Sequence, residues 1–128
     1  MRLLLDTHAL IWWFAGKSEL STAARAAVAD SDNEVYVSAV SAWEISTKFR
    51  IGKLPKAAAL ANDIASAIAG QAFSELTITV PHAQHAGALP GPLRDPFDRM
   101  LIAQSVLDSI PLVSNEEIFD RYGVKRIW

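Results

Sequence analysis

The stretch LLLDTHALIWW, residues 3–13, decides the fold, because a short apolar run ends at an acid and a helical pattern starts at once. Arg2–Leu5 predicts a buried strand, and Thr7–Ala15 predicts a helix that ends at Gly16. The rest of the chain repeats this alternation of short strand and helix. It therefore predicts a three-layer α/β domain with a central, mostly parallel sheet.

Four later segments have strand character, and helical patterns lie between them. The later strands are predicted at Glu34–Ser38, Leu76–Val80, Leu112–Ser114 and Val124–Trp128. The later helices are predicted at Ser21–Asp30, Ser41–Ile51, Lys56–Ala69, Pro81–Leu89, Pro96–Asp108 and Glu116–Tyr122. Because no repeat, linker or low-complexity segment interrupts this order, we expect one domain over residues 1–128.

The composition excludes several classes of protein. Hydrophobic residues make up 51% of the 128 residues and charged residues 20%, which is typical of a globular chain. The absence of cysteine excludes disulfides, thiolate catalysis and cysteine-based zinc sites. No apolar stretch approaches the roughly 18 residues of a membrane span. We therefore expect a soluble cytoplasmic protein with no membrane association.

The net charge of −2 is unusual for a protein that binds nucleic acid, because phosphate contacts normally need a basic surface. Acids gathered around metal ions would remove this objection, because the ions would cancel their charge locally. Net charge alone therefore decides nothing about nucleic acid.

Four acids lie where strands give way to helices. Asp6 follows the first strand, and Glu44 lies in the first turn of the predicted helix Ser41–Ile51. Asp98 lies in the first turn of the predicted helix Pro96–Asp108, and Glu116 follows the predicted strand Leu112–Ser114. Strand carboxyl ends and the starts of the following helices share one edge of a parallel sheet, and ligands bind there. We therefore expect these acids to converge.

Each acid also has a purely structural explanation. The segment Ser41–Glu44 has the pattern of a capping box, Asp95 can cap the helix that begins at Pro96, and the segment Ser114–Glu117 can cap in the same way. Capping explains why each acid lies at a helix start, but it does not require the four to converge.

Clustered carboxylates favour a hard divalent cation, since they repel one another unless a cation neutralises them. Oxygen ligands select Mg²⁺ or Mn²⁺, which can polarise a phosphate and generate a hydroxide nucleophile. Zinc is disfavoured, because His8, His82 and His85 form no zinc-binding motif. The acids therefore indicate phosphodiester hydrolysis.

With these residues in view, the sequence resembles the VapC-like PIN-domain toxins of type II toxin–antitoxin systems. Four blocks occur in the family's order, and DPFDRMLIAQS is the most specific of them. They are LLLDTHALIWW (3–13), SAVSAWEISTKFRIGKL (38–54), DPFDRMLIAQS (95–105) and LVSNEEIFDRYGV (112–124). The resemblance implies a three-layer PIN-like domain with a five-stranded sheet and a Mg²⁺-dependent endoribonuclease. It also implies an RNA substrate and a cognate antitoxin.

The resemblance also implies roles for single residues. Asp6, Glu44 and Asp98 match the family's core acids, and Glu116 falls at the more variable fourth position. Two hydroxyl residues, Thr7 and Ser114, match small positions beside the site, where they could orient carboxylates or water. Asp95 is interpreted mainly as a helix cap.

Basic and aromatic residues supply further hypotheses. The candidate phosphate contacts are Arg94, Arg99, Lys48, Arg50 and Lys53, with an intrahelical pair to Glu44 as the structural alternative for Lys48. The run Trp12–Phe14 is explained by core packing or by a ring that serves a dimer or antitoxin groove, and a homodimer is expected. The Ala57–Ala69 segment is a second candidate surface.

Three rival functions remain open at this point. A phosphatase with a nucleophilic Asp6 is disfavoured, because His8 occupies the position of the second aspartate of such enzymes. DNA flap cleavage is disfavoured by the small size of the chain. A non-catalytic RNA- or protein-binding module on a PIN scaffold is the main alternative to the ribonuclease.

Overall fold

A computed structural model describes all 128 residues of the chain as a five-stranded sheet covered by helices on both faces. The strands are β1 (Arg2–Leu5), β2 (Glu34–Ser38), β3 (Ser74–Leu76), β4 (Leu112–Val113) and β5 (Arg126–Ile127). The helices are α1 (Thr7–Ala15), α2 (Thr22–Ala29), α3 (Ala39–Arg50), α4 (Ala58–Asn62), α5 (Ile64–Gly70), α6 (Val80–Ala88) and α7 (Pro96–Asp108). Two 3₁₀ helices are at Pro55–Ala57 and Glu117–Tyr122.

The sheet has the strand order β3-β2-β1-β4-β5, and every pair of neighbours is parallel. The predicted three-layer α/β fold is confirmed, and the sheet is fully rather than mostly parallel. β1 is the central strand, so its residues are covered on both faces. None of the helices is long and apolar enough to cross a membrane.

The core is divided by the sheet into two clusters, which explains the continuous apolar run of β1. Leu3 and Leu5 pack on one face with helices α1, α2 and α5, whereas Leu4 packs on the other face with α7 and Phe119. Burial of each such side chain contributes about 1.5–3 kcal/mol. A shift of one residue would exchange the two faces, so packing fixes the register.

The predicted helix Lys56–Ala69 was wrong as a single element. The segment begins as a 3₁₀ turn and then divides into α4 and α5 at Asp63. The Asp63 carboxylate accepts hydrogen bonds from the amide and the hydroxyl of Ser66, so it caps α5. A cap of this kind starts a new helix even within an alanine-rich sequence.

The predicted strand Leu76–Val80 was also wrong beyond its first residue. Thr79 caps α6: its hydroxyl accepts a hydrogen bond from the amide of His82 at 3.3 Å, and Nδ1 of His82 accepts one from the amide of Thr79 at 3.0 Å. This reciprocal cap draws Val80 into the helix.

The predicted capping box at Ser41–Glu44 was wrong because α3 starts two residues earlier. The hydroxyl of Ser38 accepts a hydrogen bond from the amide of Val40 at 3.0 Å, so Ser38 is the N-cap. Glu44 therefore lies in the second turn of α3 and is not a capping residue.

Candidate active site at the carboxyl edge of the sheet

The register of the three central strands brings buried polar residues to one edge. Leu5 is paired with Val37 in β2 and with Val113 in β4. The next residue along each strand is polar, and all three are buried: Asp6, Ser38 and Ser114. The strands thus end in a polar rim beneath the starts of α1 and α3.

Asp6 is the N-cap of α1, and one oxygen accepts a hydrogen bond from the amide of Ala9 at 2.7 Å. Burial raises the pKa of this carboxyl, although hydrogen bonds from Ser114 and Ala9 act in the opposite direction. Capping therefore uses part of its hydrogen-bonding capacity.

Glu44 reaches the same rim from α3 and is only 3% exposed. Its Oε2 is bonded to the ammonium of Lys48, one turn later on the helix. Its Oε1 is buried and has no hydrogen-bond partner. A buried oxygen without a partner lowers the stability of the fold by about 1–3 kcal/mol, and by more when it is charged. A hydrogen-bond donor or a cation at Oε1 would remove this penalty.

Asp98 lies in the first turn of α7, whose N-cap is Asp95, as the sequence predicted. Oδ1 of Asp95 accepts hydrogen bonds from the amides of Phe97 at 2.8 Å and Asp98 at 3.2 Å. Burial, together with the negative charges of the neighbouring acids, raises the pKa of Asp98 to about 7; these acids are Asp95, Glu44, Asp6 and Glu116. Asp98 is therefore the acid on which the charges of the others converge.

Glu116 is the outermost of the four acids. It is exposed, and its amide donates a hydrogen bond to the hydroxyl of Ser114 at 3.0 Å. Its charge raises the pKa of both Asp6 and Asp98, so it belongs to the same electrostatic group.

These carboxylates lie near one another, but they are not arranged around one common position. No group of three histidine, aspartate or glutamate side chains has the arrangement of a formed metal site. The donor chemistry suits a hard cation all the same: the set is made of carboxylate oxygens, two of the acids have raised pKa values, and Oε1 of Glu44 lacks a partner.

Arg99, a candidate phosphate contact, is engaged in backbone contacts instead. Its guanidinium donates hydrogen bonds to the backbone carbonyls of Ala86, Gly87, Leu89 and Leu93. Arg99 thus ties the end of α6 and the following loop to α7, and few of its donors remain for a ligand. Three other candidates are exposed: Arg94, Arg50 and Lys53.

The aromatic run Trp12–Phe14 is half-buried against the core, which favours the packing explanation. The ring of Trp12 lies 5.9 Å from that of Trp128, and Nε1 of Trp13 donates to the side chain of Gln71 at 3.1 Å. The exposed tryptophan is Trp43, beside Glu44 in the sequence, which is 61% exposed.

Sequence reasoning missed two groups that brace the rim. The hydroxyl of Ser38 donates to Oε1 of Gln104 at 2.6 Å, and the amide of Gln104 donates to the carbonyl of Thr77 at 3.2 Å. Gln104 is fully buried in α7. A glutamine on the inward face of a helix was the available signal, since a buried amide needs partners.

Residues 3–125, which include the parallel sheet and its acids, match the PIN domain family. The chain belongs to the PIN-domain family. A curated relative, ribonuclease VapC16 of Mycobacterium tuberculosis, is 35% identical over 68 residues. The match covers 53% of this PIN domain and 48% of the relative, about half of each chain.

Solved structures with the same fold include VapC toxins and complexes that contain them. VapBC2 from Rickettsia felis, bound to a DNA fragment from its promoter, superimposes with a TM-score of 0.70 at 13% identity and full coverage of both chains. VapC20 of Mycobacterium tuberculosis, a toxin that cleaves the sarcin–ricin loop, gives 0.67 at 18% identity and covers 95% of each chain. At such identities these structures establish that this PIN domain has the VapC fold.

Proposed function

We propose that this PIN domain is a divalent-metal-dependent endoribonuclease that acts as the toxin of a type II toxin–antitoxin pair. The observation that carries the proposal is the group of acids at the rim: Asp6 and Glu44 are buried, and Oε1 of Glu44 has no partner. The raised pKa of Asp98, which follows from burial and from the neighbouring acids, agrees with it. A fold does not need so many acids at one rim, and keeping them ionised requires a cation.

In this proposal Asp6, Glu44 and Asp98 hold the cation directly or through water, and Glu116 assists from the outer side. Mg²⁺ is the proposed ion and Mn²⁺ a substitute, because the donors are all carboxylate oxygens. The proposal includes a movement of these carboxylate side chains towards one ion when it binds. When bound, the ion activates water and stabilises the charge that develops on the phosphate.

The other residues of the rim position these acids. The hydroxyl of Thr7 donates a hydrogen bond to that of Ser41 in α3, and the hydroxyl of Ser114 accepts one from the amide of Glu116. Asp95 holds the first turn of α7 and adds negative charge, without a direct role in the proposed ligand set. The remaining cationic candidates for phosphate are Arg94, Lys48, Arg50 and Lys53.

The proposed partners are an RNA substrate, a cognate antitoxin and a second copy of the chain. Solved relatives of this fold include VapBC complexes, which supports the antitoxin proposal. The exposed Trp43 borders an apolar groove lined by Val40, Ile78 and Met100, which supports a homodimer. The cytoplasm is the proposed location, where RNA and antitoxin are both available.

The proposal is tested by cleavage of a mixed RNA substrate with wild-type protein and the Asp6→Asn variant. Each protein is incubated with Mg²⁺, with Mn²⁺ or with EDTA, and circular dichroism checks the fold of the variant. We expect cleavage by the wild-type protein that EDTA and the substitution both abolish. Full activity of a folded Asp6→Asn variant would refute the proposed role of the acids.

The main alternative is a non-catalytic binding module on the same scaffold. It predicts that neither Mg²⁺ nor Mn²⁺ supports cleavage of any RNA, although the folded protein still binds RNA or a protein partner. The same assay, followed by a gel-shift measurement with uncleaved RNA, therefore separates the two functions.

A further inference from the structure

We propose that Lys48 is an internal counter-ion of the acidic rim, which neutralises Glu44 in the metal-free protein and is released towards the substrate phosphate when a divalent cation binds. This inference rests on the proposed metal-dependent cleavage. It assigns Lys48 a second state and predicts that the lysine and the metal compete for one carboxylate.

The contact between the two side chains differs from an ordinary surface ion pair. The side chain of Lys48 is 29% exposed and that of Glu44 is 4% exposed. Exposed pairs at this helical spacing contribute only a few tenths of a kcal/mol, because water screens both charges. Here water hardly reaches the carboxylate, so the ammonium is its principal source of neutralisation.

The pairing is incomplete, and this points to exchange. The ammonium of Lys48 bonds to Oε2 of Glu44, whereas Oε1 is buried without any partner. A small divalent cation with its bound waters offers more charge and more donors than one ammonium. A divalent cation therefore neutralises the carboxylate of Glu44 more completely than Lys48 does.

The surroundings of Lys48 can keep its ammonium at the rim after a metal ion has bound Glu44. Its Nζ lies 6.0 Å from the centre of the Phe97 ring, within the range of a cation–π contact. The negative charges of Asp95 and Asp98 also act on it. Since the lysine stem is long and flexible, the released ammonium stays at the rim, where an anionic phosphate would arrive.

Competition and bracing predict opposite effects on metal affinity. If Lys48 competes with the metal, its removal strengthens metal binding, by roughly tenfold for a single charge at this range in a partly screened site. If Lys48 merely holds Glu44 in place for the metal, its removal weakens binding. Loss of the charge near phosphate should also slow RNA cleavage by about tenfold or more.

The experiment is a calorimetric titration of Mn²⁺ into the full-length protein at pH 7.5, paired with RNA cleavage rates. The variants are Lys48→Met, which removes the charge, and Lys48→Arg, which keeps it. Lys56→Met is the control, because it removes one positive charge from an exposed side chain that is not a candidate phosphate contact. Thermal melting by circular dichroism confirms that each variant is folded.

We expect Lys48→Met to bind Mn²⁺ more tightly and to cleave more slowly, with Lys48→Arg and Lys56→Met close to wild type in affinity. Unchanged or weaker Mn²⁺ binding by Lys48→Met, or equal tightening in Lys56→Met, would overturn the proposed competition. An unchanged cleavage rate in Lys48→Met would overturn the transfer to phosphate. A wild-type protein that neither binds Mn²⁺ nor cleaves RNA would refute the proposed function itself.

Discussion

The hydroxyl of Thr7 donates a hydrogen bond to the hydroxyl of Ser41 across 3.1 Å, and both groups are buried. Thr7 is the first residue of α1, directly after Asp6, and Ser41 lies in the first turn of α3, one turn before Glu44. The bond therefore joins the two helices close to the residues that carry their acids.

Replacement of Thr7 by valine tests this link, because the side chain keeps its shape and loses the donor. We expect a decrease of about 1 kcal/mol in the free energy of unfolding, the usual value of one buried hydrogen bond. We expect a larger effect on RNA cleavage, a loss of roughly tenfold or more, because small displacements of reacting groups are costly.

The matched control is Thr22→Val, since Thr22 is also the first residue of a helix but is exposed. Urea unfolding gives the stabilities, and initial cleavage rates give the activities. Equal cleavage rates for Thr7→Val and wild type would show that the bond does not position the acids.

The raised pKa of Asp98 makes the metal-free protein sensitive to pH. The ordinary value is 3.8 and the value in the folded protein is about 7, so between these limits the folded state holds a proton that the unfolded chain has lost. Folding stability therefore falls as pH rises through this window, and it is fully reduced above about pH 7. A bound cation would reverse this loss.

The Asp98→Asn variant should show a weaker dependence of stability on pH. In EDTA, we expect the melting temperature of wild type to fall by roughly a few degrees between pH 5 and pH 8, and that of Asp98→Asn to fall less. Asp6 has a raised pKa as well, so a smaller slope should persist. The same slope in both proteins would contradict the assignment of the buried proton to Asp98.

Arg99 and Arg94 form a pair that separates structural from functional cations. Arg99 donates hydrogen bonds to four backbone carbonyls, whereas Arg94 is exposed in the preceding loop. We expect Arg99→Met to lower the free energy of unfolding by about 2–4 kcal/mol, because several part-buried carbonyls lose a charged donor. Chemical denaturation measures the change.

The same substitution at Arg94 should leave stability within about 0.5 kcal/mol of wild type, as expected for an exposed side chain. If Arg94 contacts phosphate, Arg94→Met should instead weaken RNA binding, and high salt should reduce the difference. A destabilised Arg94→Met protein, or an Arg99→Met protein as stable as wild type, would contradict this division.

Sequence reasoning succeeded where the determinant is local. The bounds of α1 and α7 were predicted as observed, because Asp6 and Asp95 cap them and an uninterrupted helical pattern follows. The convergence of the acids at one edge followed from the topology of a parallel sheet alone, without any distance. This is why the four acids could be grouped before the fold was known.

Sequence reasoning failed where the outcome depends on competing caps or on contacts between distant segments. Ser38 and Ser41 are both plausible caps of α3, and only the position at which β2 ends selects Ser38. The role of Arg99 depends on a loop that folds back onto α7, which no local pattern encodes. The pairing of Glu44 with Lys48 was predicted as one alternative. The burial of the Glu44 carboxylate, which makes this pair more than a surface ion pair, was not predicted.

The most direct test of the account is a calorimetric titration of Mn²⁺ at pH 7.5 into wild type, Glu44→Gln and Glu19→Gln. Glu19 is an exposed acid in the segment between α1 and α2, so it serves as the control for the loss of one charge. We predict binding by wild type and Glu19→Gln, and for Glu44→Gln at least the roughly tenfold loss that follows removal of even an outer-shell partner of a metal. Equal Mn²⁺ affinity in all three proteins would contradict the claim that the acidic rim is the metal site.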